Sequence, residues 1–314
     1  MKNCGRPNID NRQQLWRKIM DIKKVIVIGS GLMGSGIAQV CAQAGIHVFL
    51  NDVSQAAIDK AIKNIEWSVG KFIEKGKLTE KKETIIDRIT PIKDLDPVND
   101  IDLAIEAVFE QLEIKQQIFE RLDQLCRPRT LLASNTSAIP ISDLAAVTQR
   151  ADQVLGLHFF SPVPMMQVVE VVKGISTTDK TAKIGQEFVK KIGKEPIMVN
   201  RDVPGFAINR INLPSVIEAI NLVEQGVVSV EDVDKGLRLG LGRKMGIFET
   251  GDMVGLDVTY GALTAMYNET GDSRWHPPLL LRRKVKAGHL GRKTGKGWYQ
   301  YDKDGNIVKG LEKS

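Results

Sequence analysis

At 314 residues, with 42% hydrophobic and 26% charged residues, the chain has the composition of a soluble globular protein long enough for two domains. No apolar run approaches the roughly 20 residues that a bilayer span needs, which argues against a membrane protein. The net charge of +6 is concentrated at the start, where Lys2, Arg6, Arg12, Arg17 and Lys18 stand against Asp10 alone, so it is no nucleic-acid footprint.

Residues 1–19 have neither the apolar core of a secretory signal nor the serine content of a transit peptide. They are expected to be either a disordered extension or the product of an upstream start codon, with Met20 then the natural start. Cys4, Cys41 and Cys126 are odd in number, far apart and form no C-x-x-C pair. That argues against a disulfide framework and a zinc site, so no metal is expected, and a reducing, cytoplasmic compartment fits best.

From Met20 onward the pattern is alternating. "KVIVIG" at 24–29 is a short apolar run rich in β-branched residues, as expected of a strand buried on both faces of a parallel sheet. It runs into Gly29-Ser30-Gly31-Leu32-Met33-Gly34, a G-x-G-x-x-G sequence, then a helix ending at Gly45 and a second strand, "IHVFLND", ending at Asp52. The glycine pattern alone is weak. With strand, helix, second strand and terminal acid all in place it predicts a dinucleotide site. Gly29 permits the tight turn, Gly31 leaves room for the pyrophosphate and Gly34 lets the helix pack on the strand. Asp52 would accept from the adenosine ribose hydroxyls and repel a 2′-phosphate, favouring NAD over NADP. A plain helix-capping role near Ser54 is compatible with this.

The insert at 54–90 has helical spacing with a break at Gly76 and is expected to form a projecting helical hairpin whose lysines make either a solvated face or one across which a phosphate-rich ligand lies. Strands follow at 102–108, 130–135, 154–160 and 166–172, with amphipathic helices at 112–126 and 178–193. The expected fold class is α/β: a Rossmann-like doubly wound, mostly parallel sheet with a helical-hairpin insert, followed by an all-α C-terminal domain. Ligands of such sheets bind beyond the carboxyl ends of the strands, where Glu106, Glu110, Ser134 to Ser137 and His158 all fall. A histidine beside Phe159 and Phe160 is in general a packing residue; this shared location is what argues otherwise.

The domains are expected at 20–203 and 204–314. After Pro204, suited to a helix's first turn, the chain reads as helical at 206–226, 230–242, 248–270 and 277–288. Asn209, Leu213, Val216 and Ile220 share a helix face, so Asn209 is a polar group on an apolar stripe and needs a partner. Pro214 should kink that helix, and so apolar a helical domain would bury surface against a second copy, giving a homodimer. "GRKTGKGWYQY" imitates a phosphate loop only superficially, since Lys296 is followed by Gly297; it reads as a basic turn.

Seven stretches, "VIGSGLMGSGIAQ", "EAVFE", "ASNTS", "HFFSPVPMMQVVEVV", "PGFAINR", "MGIFETGDMVGLD" and "GRKTGKGWYQY", together resemble the (S)-3-hydroxyacyl-CoA dehydrogenases. The likeness spans residues 22 to 302 and is nearest to the short bacterial 3-hydroxybutyryl-CoA form. It implies NAD as cofactor, an acyl-CoA substrate, and a place in fatty acid oxidation or butyrate metabolism. His158 would be the general base and Glu170 its partner, while Glu106 receives no role. Gly29, Gly31, Leu32, Met33, Gly34, Asp52, Glu110, Lys115, Ser161 and Lys293 would line the cofactor. Ser137 and Asn209 would hydrogen-bond the reacting part of the substrate, Ser137 touching the cofactor too, and Ser68 and Lys75 would contact the coenzyme A nucleotide. Two positions depart from the family pattern: Ser161 stands where asparagine is common, and Lys244 to Glu249 lack two prolines around Ile247. The rival readings are a dehydrogenase of the same architecture acting on a free hydroxy or sugar acid, and a non-catalytic NAD-binding scaffold.

Overall fold

The computed structural model describes residues 21–95 and 99–308; the expected extension at 1–19 lies outside the described residues. The chain divides after Asp202 into two compact units.

The first unit is built on one eight-stranded sheet of order β3-β2-β1-β4-β5-β6-β7-β8. Its strands are β1 (Lys24–Ile28), β2 (His47–Asn51), β3 (Ile89–Ile92), β4 (Leu103–Glu106), β5 (Leu131–Ser134), β6 (Val154–Phe159), β7 (Val168–Lys173) and β8 (Glu195–Val199). All neighbours are parallel except β6 and β7. The carboxyl ends of β1, β2, β4, β5 and β6 therefore share one edge. β4, β5 and β6 are buried throughout, as continuous apolar runs covered on both faces should be. One core joins Val25, Val27, Ile105, Leu155 and Leu157 to Ile37 and Phe188 of the covering helices, each such burial contributing about 1.5–3 kcal/mol.

Helices α1 (Leu32–Gln43), α2 (Gln55–Glu74), α3 (Lys82–Ile86), α4 (Leu112–Leu125), α5 (Ile141–Ala145) and α6 (Asp179–Lys191) connect the strands. α2 buries Ile58, Ala61, Ile65 and Val69, a helical stripe, and starts at Ser54, whose hydroxyl accepts from the Ala57 amide. The insert differs from a full hairpin. It turns at Gly76, which has φ +65°, but its returning arm is only α3, and residues 89–92 pair as strand β3 with β2. Pro91 hides that strand in the sequence; it is tolerated because β3 is the sheet edge, where a missing N–H need not break a ladder.

The second unit, from Val203, holds α7 (Ile208–Glu224), α8 (Val230–Leu241), α9 (Ile247–Val254), α10 (Leu256–Thr270) and α11 (Leu279–Lys286). α7 runs on through Pro214, its buried Leu213 and Ile220 carrying the expected stripe. The single helix expected over 248–270 is two, broken at Gly255 with φ +113°. The tail is an ordered turn held to α9. Asp252, itself buried, accepts from the Trp298 and Tyr299 amides at 2.8 and 2.9 Å and from the Tyr301 hydroxyl at 2.9 Å. A Cβ on Gly297 would lie 1.9 Å from Asp252 Oδ1, which explains the glycine between Lys296 and Trp298. Among the described residues no helix is long and apolar enough to cross a membrane.

Candidate active site

The glycine loop divides its labour. A Cβ on Gly34 would fall 1.8 Å from Gly29 O, and one on Gly29 would fall 2.5 Å from Ala107 O; both glycines are demanded by the fold itself. A Cβ on Gly31 meets nothing within 4 Å. The protein's own packing does not require that glycine, so its open space is a cradle for something else. Gly31 caps α1 without a side-chain bond, leaving first-turn N–H groups to face an anion. Leu32 and Met33 follow in that first turn, Leu32 exposed.

Asp52, just past β2, is tied to this loop. Its Oδ2 accepts from Ser30 N at 2.9 Å and Ser30 Oγ at 2.8 Å, and Oδ1 from Ser54 N at 3.0 Å. Burial alone would raise its pKa, but these donors outweigh burial and hold the carboxyl below the usual range. An anchored, ionised acid here suits ribose hydroxyls and opposes a 2′-phosphate. The cradle, helix terminus and acid fit NAD.

On the other side of β1, Glu106 closes β4 with 0% exposure. Its carboxylate accepts from Lys115 Nζ, Val108 N and Ser134 Oγ, each at 2.6 Å. Lys115 Nζ also lies 3.2 Å from Glu110 Oε2. Glu110 Oε1 accepts from the Thr136 hydroxyl and, at 3.0 Å, from Ser137 N. Burial pushes the Glu110 pKa up, but the Lys115 charge and these donors bring it below the ordinary carboxylate value. Lys115 is 1% exposed. Its ammonium is turned into the protein onto Glu106 and Glu110, where the family likeness implied contact with the cofactor.

His158 stands directly opposite Glu170 in the antiparallel β6–β7 pair, with Nδ1 2.7 Å from Glu170 Oε2. The pair is 6% and 0% exposed. The turn through Ser161, Pro162 and Pro164 reverses the chain between them, and the Phe160 ring lies 4.6 Å from the imidazole. Asn135, one residue past β5, accepts the Phe159 amide on its Oδ1 at 3.0 Å, extending the β5–β6 pairing beside the histidine. Neither Glu106 nor Asn135 was assigned a role from sequence; Ser134 and Phe159, to which they bond, stand 28 and 24 positions away.

Phe72 of α2, with Lys77 and Leu78 beyond it, lines a cleft of about 500 Å³ whose other wall includes Pro164, Met165, Gln167 and Lys194. Ser68, Phe72 and Lys75 are spaced i, i+4 and i+7 and share one helix face. Asn209 and Lys293 belong to the helical unit. Asn209 is half-buried in the first turn of α7, and Lys293 Nζ lies 2.7 Å from Asp257 Oδ2. The buried Cys41 and Cys126 thiols are pushed up by burial to about 12 and about 11, which makes them inert.

A parallel sheet with a glycine cradle, an anchored acid at the ribose end and a buried histidine–carboxylate pair on the same edge defines an NAD-dependent dehydrogenase. A sequence profile described as the 3-hydroxyacyl-CoA dehydrogenase NAD-binding domain matches residues 24–203, and one for that family's C-terminal domain matches 205–301. The chain belongs to the 3-hydroxyacyl-CoA dehydrogenase family of NAD-dependent oxidoreductases. It is 41% identical over 284 residues to a probable 3-hydroxybutyryl-CoA dehydrogenase of Bacillus subtilis, covering 90% of this chain and 99% of that protein. The corresponding protein of Deinococcus radiodurans is 45% identical over 275 residues, with 88% and 99% covered. The crystal structure of (S)-3-hydroxybutyryl-CoA dehydrogenase from Ralstonia eutropha superposes with a TM-score of 0.83 at 40% identity, covering 90% of this chain and 100% of that one.

Proposed function

We propose that the chain catalyses the reversible oxidation of (S)-3-hydroxyacyl-CoA, with 3-hydroxybutyryl-CoA as its substrate, and that His158 moves the proton. The observation that carries this is the 2.7 Å contact between His158 Nδ1 and Glu170 Oε2, buried at the strand edge that also bears the glycine cradle. A carboxylate only accepts, so Nδ1 carries the hydrogen and Nε2 presents its lone pair. Nε2 takes the proton of the 3-hydroxyl as that carbon loses its hydride and becomes the ketone carbon. Bound NAD supplies the hydride acceptor. Glu170 fixes the tautomer and stabilises the imidazolium that forms; in the reverse direction the imidazolium returns the proton to the developing alkoxide. A base so placed contributes about 100- to 10,000-fold.

Ser137 and Asn209 are assigned to hydrogen-bond the reacting oxygen and thioester, Ser161 to donate beside them, and Lys293 to approach the cofactor from the tail. Ser68 and Lys75 are assigned to the coenzyme A nucleotide, to which they would present one shared helix face. A homodimer through the helical unit is supported by exposed Ile211, Leu239 and Leu241; a place in fatty acid or butyrate metabolism rests on the acyl-CoA substrate alone. The test is NADH absorbance decay with acetoacetyl-CoA, compared with free acetoacetate and with NADPH. Turnover with the thioester and NADH alone is expected. Turnover on the free acid alone would overturn the substrate class, and binding of NADH without turnover on either would leave a scaffold.

A further inference from the structure

Glu106 has no exposed surface, so it touches neither substrate nor cofactor, yet its carboxylate holds three donors at 2.6 Å. One is Lys115, which lies between Glu106 and Glu110. The three form a buried triad of two carboxylates around one ammonium. Stability does not account for it, because buried ion pairs are often no better than apolar replacements of equal volume. A lone Glu–Lys pair would be neutral; the second carboxylate leaves the triad with a net charge of about −1. Glu110 is its outlet, with a side chain 34% exposed and its other oxygen on the Thr136 hydroxyl and Ser137 amide.

The strand order runs β2-β1-β4-β5-β6. Asp52 at β2 marks the ribose end of the dinucleotide, so Glu110 stands across the glycine loop from it, on the side of His158, where the reacting ring belongs. That ring is cationic when oxidised and neutral when reduced. A fixed negative charge beside it favours the oxidised form.

We propose that the Glu106–Lys115–Glu110 triad sets the balance between the affinities for oxidised and reduced NAD, with Glu106 as the positioning residue that fixes Lys115 and the sign of the site. This rests on NAD as the cofactor and is independent of the acyl substrate. Dissociation constants for NAD⁺ and NADH, measured by calorimetry on wild type, Glu106→Gln and Glu106→Asp, test it. Glu106→Gln keeps the shape and removes one charge. It raises the ratio Kd(NAD⁺)/Kd(NADH) about tenfold, the order expected of a unit charge about 10 Å away at an effective dielectric constant of about 20. Glu106→Asp keeps the wild-type ratio even where both affinities fall. A mere loosening of the site weakens both forms equally, and an unchanged ratio in folded Glu106→Gln overturns the proposal. Should that variant not fold, Glu110→Gln removes the same charge at the exposed end and must raise the ratio; no rise there also overturns it. A wild-type protein that binds neither form would overturn the cofactor assignment itself, a different outcome from an unchanged ratio.

Discussion

Glu170→Gln isolates what the carboxylate charge does for the histidine, because it preserves volume and removes one unit of charge. In the forward reaction the ring gains a proton while Glu170 Oε2 is 2.7 Å from Nδ1, which puts the centre of the imidazolium charge about 4 Å from the carboxylate. At an effective dielectric constant of about 20, that attraction is worth roughly 4 kcal/mol, a thousandfold in rate. The glutamine carbonyl can still accept from Nδ1–H and retains about 1 kcal/mol. If instead the amide NH2 turns to the ring, it forces the hydrogen onto Nε2 and blocks the base. The expected fall in kcat is therefore about 100- to 1,000-fold, read in the oxidation direction at saturating 3-hydroxybutyryl-CoA and NAD⁺, with the NADH dissociation constant within about threefold of wild type by fluorescence titration. A folded Glu170→Gln protein with kcat within about threefold of wild type would refute the electrostatic reasoning.

Three further outcomes follow from the same geometry. Gly31→Ala and Gly34→Ala should part company. Gly31→Ala melts like wild type, since its methyl meets no protein atom, but binds NADH at least about tenfold more weakly. Gly34→Ala, whose Cβ would overlap Gly29 O at 1.8 Å, loses several kcal/mol of stability, on the order of 3; equal melting temperatures for the two would contradict the division. Tyr301→Phe leaves buried Asp252 one donor short and should cost about 1–3 kcal/mol in thermal denaturation. Asp52 has a folded pKa below its ordinary 3.8, so its contribution is present above pH 3.8 and is lost as pH falls through the lowered folded value. The melting-temperature gap between wild type and Asp52→Asn, clear at about pH 5, should close on acidification; a gap that widens would show the carboxylate is not stabilised.

The sequence disclosed those parts of the site that depend on local order. Gly29 to Gly34 and Asp52 follow one another along a single strand–helix–strand unit, and the buried strands announce themselves as apolar runs. The His158–Glu170 register was also within reach, because a turn of fixed length between two strands sets which residues face each other. What stayed hidden depends on contacts between distant segments. β3 and β8 carry Pro91 and Pro196, which interrupt a strand pattern but are harmless at the sheet edge. Glu106 looks like any acid ending a strand until Lys115 and Ser134 are folded against it. Lys115 was placed at the cofactor by the family likeness alone, and no sequence pattern shows that its ammonium is turned inward onto two carboxylates. The tail reads from sequence only as a basic turn; that Gly297 is needed because Asp252 leaves no room for a methyl group depends on a contact across 45 positions.

His158→Gln tests the proton-transferring group most directly. Glutamine preserves polarity and approximate size at a position 6% exposed and cannot take a proton. Near-normal NADH binding is expected together with a loss of acetoacetyl-CoA reduction of about 100- to 10,000-fold. Wild-type turnover in that variant would contradict the assignment of His158 as the proton-transferring group.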